Sequence, residues 1–185
     1  MFLITGLGNT GGEYVNTPHN AGFLFLDSLR ETFLKVPSLQ ISNWENEERL
    51  FKSQICKIKK DGELVCMLQK PLTYMNRSGI AVRAVINKFD IDGFVLAHDD
   101  LDIPLGKYKI QKEKSPKGHN GVISVESNLG TSDFLRVRIG IENRGERKIP
   151  GEDYVLQKYS EEELDTLKVA IEESIQELLS TIFEL

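Results

Sequence analysis

Short apolar runs of strand length alternate along this chain with stretches whose apolar residues recur every three or four positions, and that alternation leaves few possible folds. Phe2–Leu7 and Phe94–Ala97 read as buried strands, with little polar character on either face. Between them, Phe23, Leu26, Leu29, Phe33 and Leu34 keep helical spacing until Pro37 stops it. Residues 51–59 and 63–69 read as two strands joined at Asp61-Gly62, a tight-hairpin dipeptide. A second helix is carried by Ile80, Val82, Val85, Ile86 and Phe89, and a third by residues 119–129. A long helix from Glu161 puts Leu164, Leu167, Ile171, Ile175, Leu178 and Leu179 on one face, with acidic residues in its first turn. Lys107–Ile110 and Phe134–Ile141 read as further strands, and residues 111–118 as a polar loop. Strands separated by helices require a largely parallel sheet covered on both faces, and the hairpin makes that sheet mixed. With 185 residues and no linker or repeat, one domain over 1–185 is expected.

Composition narrows the class. No apolar run approaches the ~20 residues of a membrane helix, and Phe2 begins a strand where a secretory signal would stand. Cys56 and Cys66 are too few for a disulfide framework, so a reduced, cytoplasmic location is expected. The net charge of −5 is unpromising for a nucleic-acid binder, but it is unevenly spread. Residues 107–148 carry 10 basic and 5 acidic side chains, against 2 and 10 in residues 149–185. A basic island in an acidic chain is consistent with a local anionic partner such as phosphate, or with a solvated lysine-rich surface. Within it, alternation puts Lys107 and Lys109 on one strand face and Arg136 and Arg138 on one face of another.

Gly6-Leu7-Gly8-Asn9-Thr10-Gly11 matches a dinucleotide-binding fingerprint, but Asn16, Thr17 and Pro18 delay the helix that must open at the glycines. The glycines more simply shape a loop that brings backbone close to a substrate. His19-Asn20 and His119-Asn120 each open a helix, where the helix dipole favours a neutral imidazole able to act as a base. His98-Asp99-Asp100-Leu101-Asp102 ends a buried strand, the usual place for a ligand in an open α/β sheet. Asp99 faces away from His98 and Asp100, so these three do not converge on a metal; no metal-ligand set stands out in the spacing, and no metal is expected. The nucleophile elbow G-x-S-x-G is absent, so any hydrolysis uses activated water.

Taken together these segments resemble the bacterial-type peptidyl-tRNA hydrolase family. The carriers are Gly6–Gly11 with Tyr14, Thr17-Pro18-His19-Asn20-Ala21-Gly22, Lys70-Pro71-Leu72-Thr73-Tyr74-Met75-Asn76-Arg77-Ser78-Gly79, His98–Pro104 with Gly106, Gly118-His119-Asn120-Gly121, and Phe134–Gly140. They run in family order over about residues 2–160. The resemblance implies a single three-layer α/β/α domain around a twisted mixed sheet. It also implies hydrolysis of the ester that joins a peptide to the terminal ribose of tRNA, without a cofactor. By position, His19 is similar to the family's catalytic base and Asp99 to the carboxylate that orients it. Asn9, Asn76 and Asn120 match the asparagines that hold peptide backbone and water; Tyr14, Met75 and His119 match cleft-lining residues. Arg138 matches a residue that grips tRNA phosphate, and Lys109 and Lys112 stand beside Gln111 as substitutes for the phosphate-gripping lysine usual at that position. The implied partner is peptidyl-tRNA through its acceptor stem and 3′ end, and the implied state a monomer.

The chain departs from the family pattern in places. Thr10 stands where proline is usual, Pro18 where arginine is usual, and Gln111 where a phosphate-gripping lysine is usual. Lys114-Ser115-Pro116-Lys117 replaces a glycine-rich stretch. None of these removes a catalytic group. A non-catalytic RNA- or protein-binding module on the same fold is the alternative, and turnover of an N-acyl-aminoacyl-tRNA separates the two.

Overall fold

The computed structural model describes residues 1–112 and 118–182, so Lys114–Lys117 lie outside the described residues. Its elements in chain order are β1 (Phe2–Gly6), α1 (Ala21–Leu34), β2 (Leu39–Ile41), β3 (Glu45–Asn46), α2 (Glu48–Phe51), β4 (Ser53–Lys60) and β5 (Glu63–Pro71). There follow α3 (Ser78–Ile86), β6 (Gly93–Pro104), β7 (Tyr108–Lys112), α4 (Asn120–Leu129), β8 (Leu135–Glu142), α5 (Gly151–Tyr154) and α6 (Glu161–Ile182). Short 3-10 turns at Pro18–Asn20 and Met75–Arg77 lead into α1 and α3.

One sheet joins the strands in the order β2-β4-β5-β1-β6-β8-β7, with β3 beside β4. The pairings β5-β1, β1-β6 and β6-β8 are parallel, and every other pairing is antiparallel. Parallel pairing is therefore confined to the centre, where the connecting helices force it. The centre is covered on both faces. Ile4, Leu68, Val95 and Ala97 pack with Phe25, Leu29, Leu167 and Ile171 of α1 and α6. Their neighbours Leu3, Met67 and Leu96 face α3 and α4. Alternate residues of one strand thus enter two different cores, which is why these strands read as continuous apolar runs. The Asp61-Gly62 turn has both residues at positive φ, 52° and 84°, as the hairpin requires. Its register sets Cys56 opposite Leu68 and Cys66 opposite Ile58, so the two thiols are offset and both are free.

Strand β6 differs from its reading in the sequence. It runs on through His98–Pro104, with a register shift after Asp100, instead of turning at the acidic residues. The reason lies on β8. Arg138 Nε donates to Asp100 Oδ2 at 2.6 Å, and both side chains are buried. The neighbouring Arg136 is fully buried, pairs with Glu126 at 2.6 Å and lies under the Phe134 ring. Arg138, matched by resemblance to a tRNA-phosphate contact, is thus buried with its guanidinium on an interior carboxylate, unlike the exposed lysines of the island. Of the basic island, Lys107, Lys109 and Lys112 are exposed, on or beside the edge strand β7.

The glycine fingerprint serves packing. A Cβ on Gly6 would meet the Gly22 carbonyl oxygen at 2.1 Å, and one on Gly22 would meet the Leu7 nitrogen at 2.4 Å. With both side chains absent, the first turn of α1 lies directly on β1 and β6. That contact brings the residues before α1 onto the end of β6.

Candidate active site

Three side chains from distant parts of the chain meet where β6, α1 and α4 converge. Asp99 lies on the α1 side of β6 and is almost fully buried. Its Oδ1 and Oδ2 each lie 3.1 Å from His19 Nδ1. Oδ1 also lies 2.8 Å from His119 Nε2. A carboxylate only accepts, so both of these ring nitrogens carry hydrogens. His119 precedes α4, and its Nδ1 accepts from the backbone N–H of Gly121 at 3.2 Å and of Val122 at 3.3 Å. The helix cap therefore fixes the His119 tautomer, making it a donor to Asp99 and leaving it no free lone pair. His19 makes no such second bond among the described residues. With its Nδ1–H on Asp99, its Nε2 keeps a lone pair.

Charge works with this geometry. Burial opposes ionisation of Asp99, but the two histidines outweigh it and hold the carboxyl well below the usual carboxylate range. Burial lowers the basicity of His19, whereas the Asp99 charge and hydrogen bond raise it; the net shift is upward. The helix dipole was expected to keep His19 neutral, but a carboxylate in contact overrides it. His98 stands behind His119, edge-on with ring centroids 5.2 Å apart, and burial pushes its pKa down to about 3. Its Nδ1 bonds the Asp99 carbonyl oxygen at 2.7 Å.

His19, Asp99 and His119 bring potential metal ligands within 4.8 Å of one another, a set that sequence spacing does not reveal. Their hydrogen-bond states do not suit a metal. An ion there would displace protons from His19 Nδ1 and His119 Nε2 and force the His119 proton against two backbone N–H groups.

The triad opens into a cleft of about 520 Å³, also lined by Asn9, Met75, Leu101, Gly118, Asn120, Gly151, Glu152, Val155 and Leu156. Tyr14 lines a neighbouring cavity of about 470 Å³ with Thr10, Tyr74 and Arg77. Asn76 is exposed on the Met75–Arg77 turn, whose Met75 lines the cleft and whose Arg77 lines the second cavity. The wall formed by residues 151–156 was missed in the sequence, where it reads as an acidic surface. It is tied to the segment that carries His19: His19 N–H donates to the Val155 carbonyl at 2.9 Å, and Tyr159 N–H to that of Asn16 at 2.9 Å.

The family model described as peptidyl-tRNA hydrolase matches residues 3–184. The chain belongs to the peptidyl-tRNA hydrolase family. It is 39% identical over 182 residues to a peptidyl-tRNA hydrolase of Mycoplasma mycoides, covering 95% of this chain and 90% of that one. It is 41% identical over 176 residues to one of Bacillus cereus, covering 94% and 89%. The crystal structure of peptidyl-tRNA hydrolase from Acinetobacter baumannii superposes with a TM-score of 0.81 at 30% identity, over 97% of this chain and 87% of that one. The three-layer fold of the hydrolase family is thus present over nearly the whole chain. No helix among its described residues is long and apolar enough to cross a membrane.

Proposed function

We propose that His19 is the base with which this member of the peptidyl-tRNA hydrolase family activates water against the ester joining peptide to tRNA. One observation carries the reading: buried Asp99 grips His19 Nδ1 with both oxygens, so that among the described residues the ring's other nitrogen is left unpaired beside a cleft of about 520 Å³. His19 Nε2 takes a proton from water as the oxygen attacks the ester carbonyl carbon. The tetrahedral oxyanion collapses by breaking the bond to the ribose oxygen, which recovers the proton from the imidazolium. Free peptide acid and tRNA leave. Asp99 stays ionised throughout and stabilises the imidazolium.

Asn9 and Asn120 supply amide N–H groups for the oxyanion and the peptide backbone. Met75 forms an apolar floor, and Tyr14 and Asn76 meet the peptide beyond it. Lys109 and Lys112, with Lys107, take acceptor-stem phosphates along β7. Every group invoked lies in one chain, so the reading requires no second copy. The test is turnover of an N-acyl-aminoacyl-tRNA by the wild type and by His19→Ala. The variant is expected to fold and to lose ~10²–10⁴ in kcat, the usual worth of a general base. Binding of the tRNA without turnover by the wild type would overturn the reading in favour of a binding module.

A further inference from the structure

Asn20 stands immediately before α1, where an asparagine side chain ordinarily accepts a hydrogen bond from an N–H in the first turn of the helix. It makes no such bond. The side chain is buried, 5% exposed, and reaches back to the loop after β1. Its Oδ1 accepts the Asn9 backbone N–H at 2.8 Å, and its Nδ2 donates to the Asn9 carbonyl at 3.0 Å. One planar amide thus holds a single residue from both sides, which sets the direction of the loop as well as its distance. The residue held lines the cleft, and the residue that precedes the clamp is His19. A local preference set aside at such a place marks a functional demand.

We propose that Asn20 is a positioning residue for the hydrolysis, fixing Asn9 at a set separation from the His19 base. The inference rests on the roles given above to His19 and Asn9. Both groups must meet one carbonyl, and the loop carrying Asn9 continues through Thr10, Gly11 and Gly12 outside any strand or helix. Through Asn20 the two share one short turn. A misplacement of about 1 Å between such groups is enough to cost about 10²-fold.

Asn20→Ser tests this. The start of α1 rests on the backbone of the Pro18–Asn20 turn and not on the Asn20 side chain, so serine leaves it in place, but serine is too short to span both sides of Asn9. We expect kcat/KM on N-acyl-aminoacyl-tRNA to fall about 10²-fold in a protein that melts somewhat lower but stays folded under assay conditions. The Asn9 amide hydrogen should be protected from exchange in the wild type and lose that protection in the variant. In the double variant with Asn9→Ala, the loss should be no greater than for Asn9→Ala alone, because the clamp acts through Asn9. Wild-type kcat/KM in Asn20→Ser, losses that add in the double variant, or full activity of Asn9→Ala would each overturn the proposal. Should Asn20→Ser not fold, an unprotected Asn9 amide in the wild type overturns it equally. A wild type without turnover would sink the hydrolysis reading and this one with it, whereas turnover indifferent to Asn20 sinks this one alone.

Discussion

Protonation decides whether His19 can work as a base. Its pKa is raised because the buried Asp99 carboxylate more than offsets the effect of burial. A base is active only when unprotonated, so activity should fall as pH drops through that raised value. The acid limb of kcat/KM is therefore expected above the ordinary histidine value of ~6.5. Asp99→Asn removes the charge and should move the limb to lower pH while lowering the plateau, with tRNA binding little changed. A limb that stayed in place would mean that some other group titrates. His119 makes a contrasting case. Its ring is held between a helix cap and the same carboxylate, so it contributes a fixed donor and does not compete for the proton of water.

Among the elements, β6, β7 and β8 divide the basic residues between a buried pair and an exposed edge. Arg138→Ala leaves Asp100 charged and buried without its partner, which costs about 3–5 kcal/mol. We expect a large fall in thermal stability and, in the fraction that folds, an unchanged salt dependence of tRNA binding. Lys109→Ala on the exposed edge should do the reverse, leaving stability alone and flattening the salt slope by about one. Strands β1, β4 and β5 and helices α1, α3 and α6 were legible in the sequence because apolar period and the Asp61-Gly62 turn act over a few residues. The continuation of β6 through Asp100 was not, since charged residues read as a turn until the partner on another strand is known. His19, Asp99 and His119 could be picked out one by one. Their meeting could not, because the bonds span 80 and 20 positions of chain. Residues 151–156 carried no signal at all, for Gly151, Glu152 and Asp153 look like any solvated loop.

Considered as a whole, the molecule draws its site from early and late parts of the chain, and the bonds from His19 N–H to Val155 O and from Tyr159 N–H to Asn16 O are the longest of these links in sequence. Ribosomes make the base early and its support late. Until the stretch around Val155 and Tyr159 has left the exit tunnel, the His19 loop lacks two of the main-chain bonds that hold it, and one wall of the cleft does not exist. Chains ended at Pro150 should accordingly contain His19, Asp99, His119 and all three asparagines yet show no turnover, whereas activity in such chains would show the late segment to be dispensable. The timing suits the chemistry. A growing polypeptide is itself attached to tRNA by the kind of bond this protein cuts, and a site that needs residues 151–159 is expected to stay inert until they have emerged.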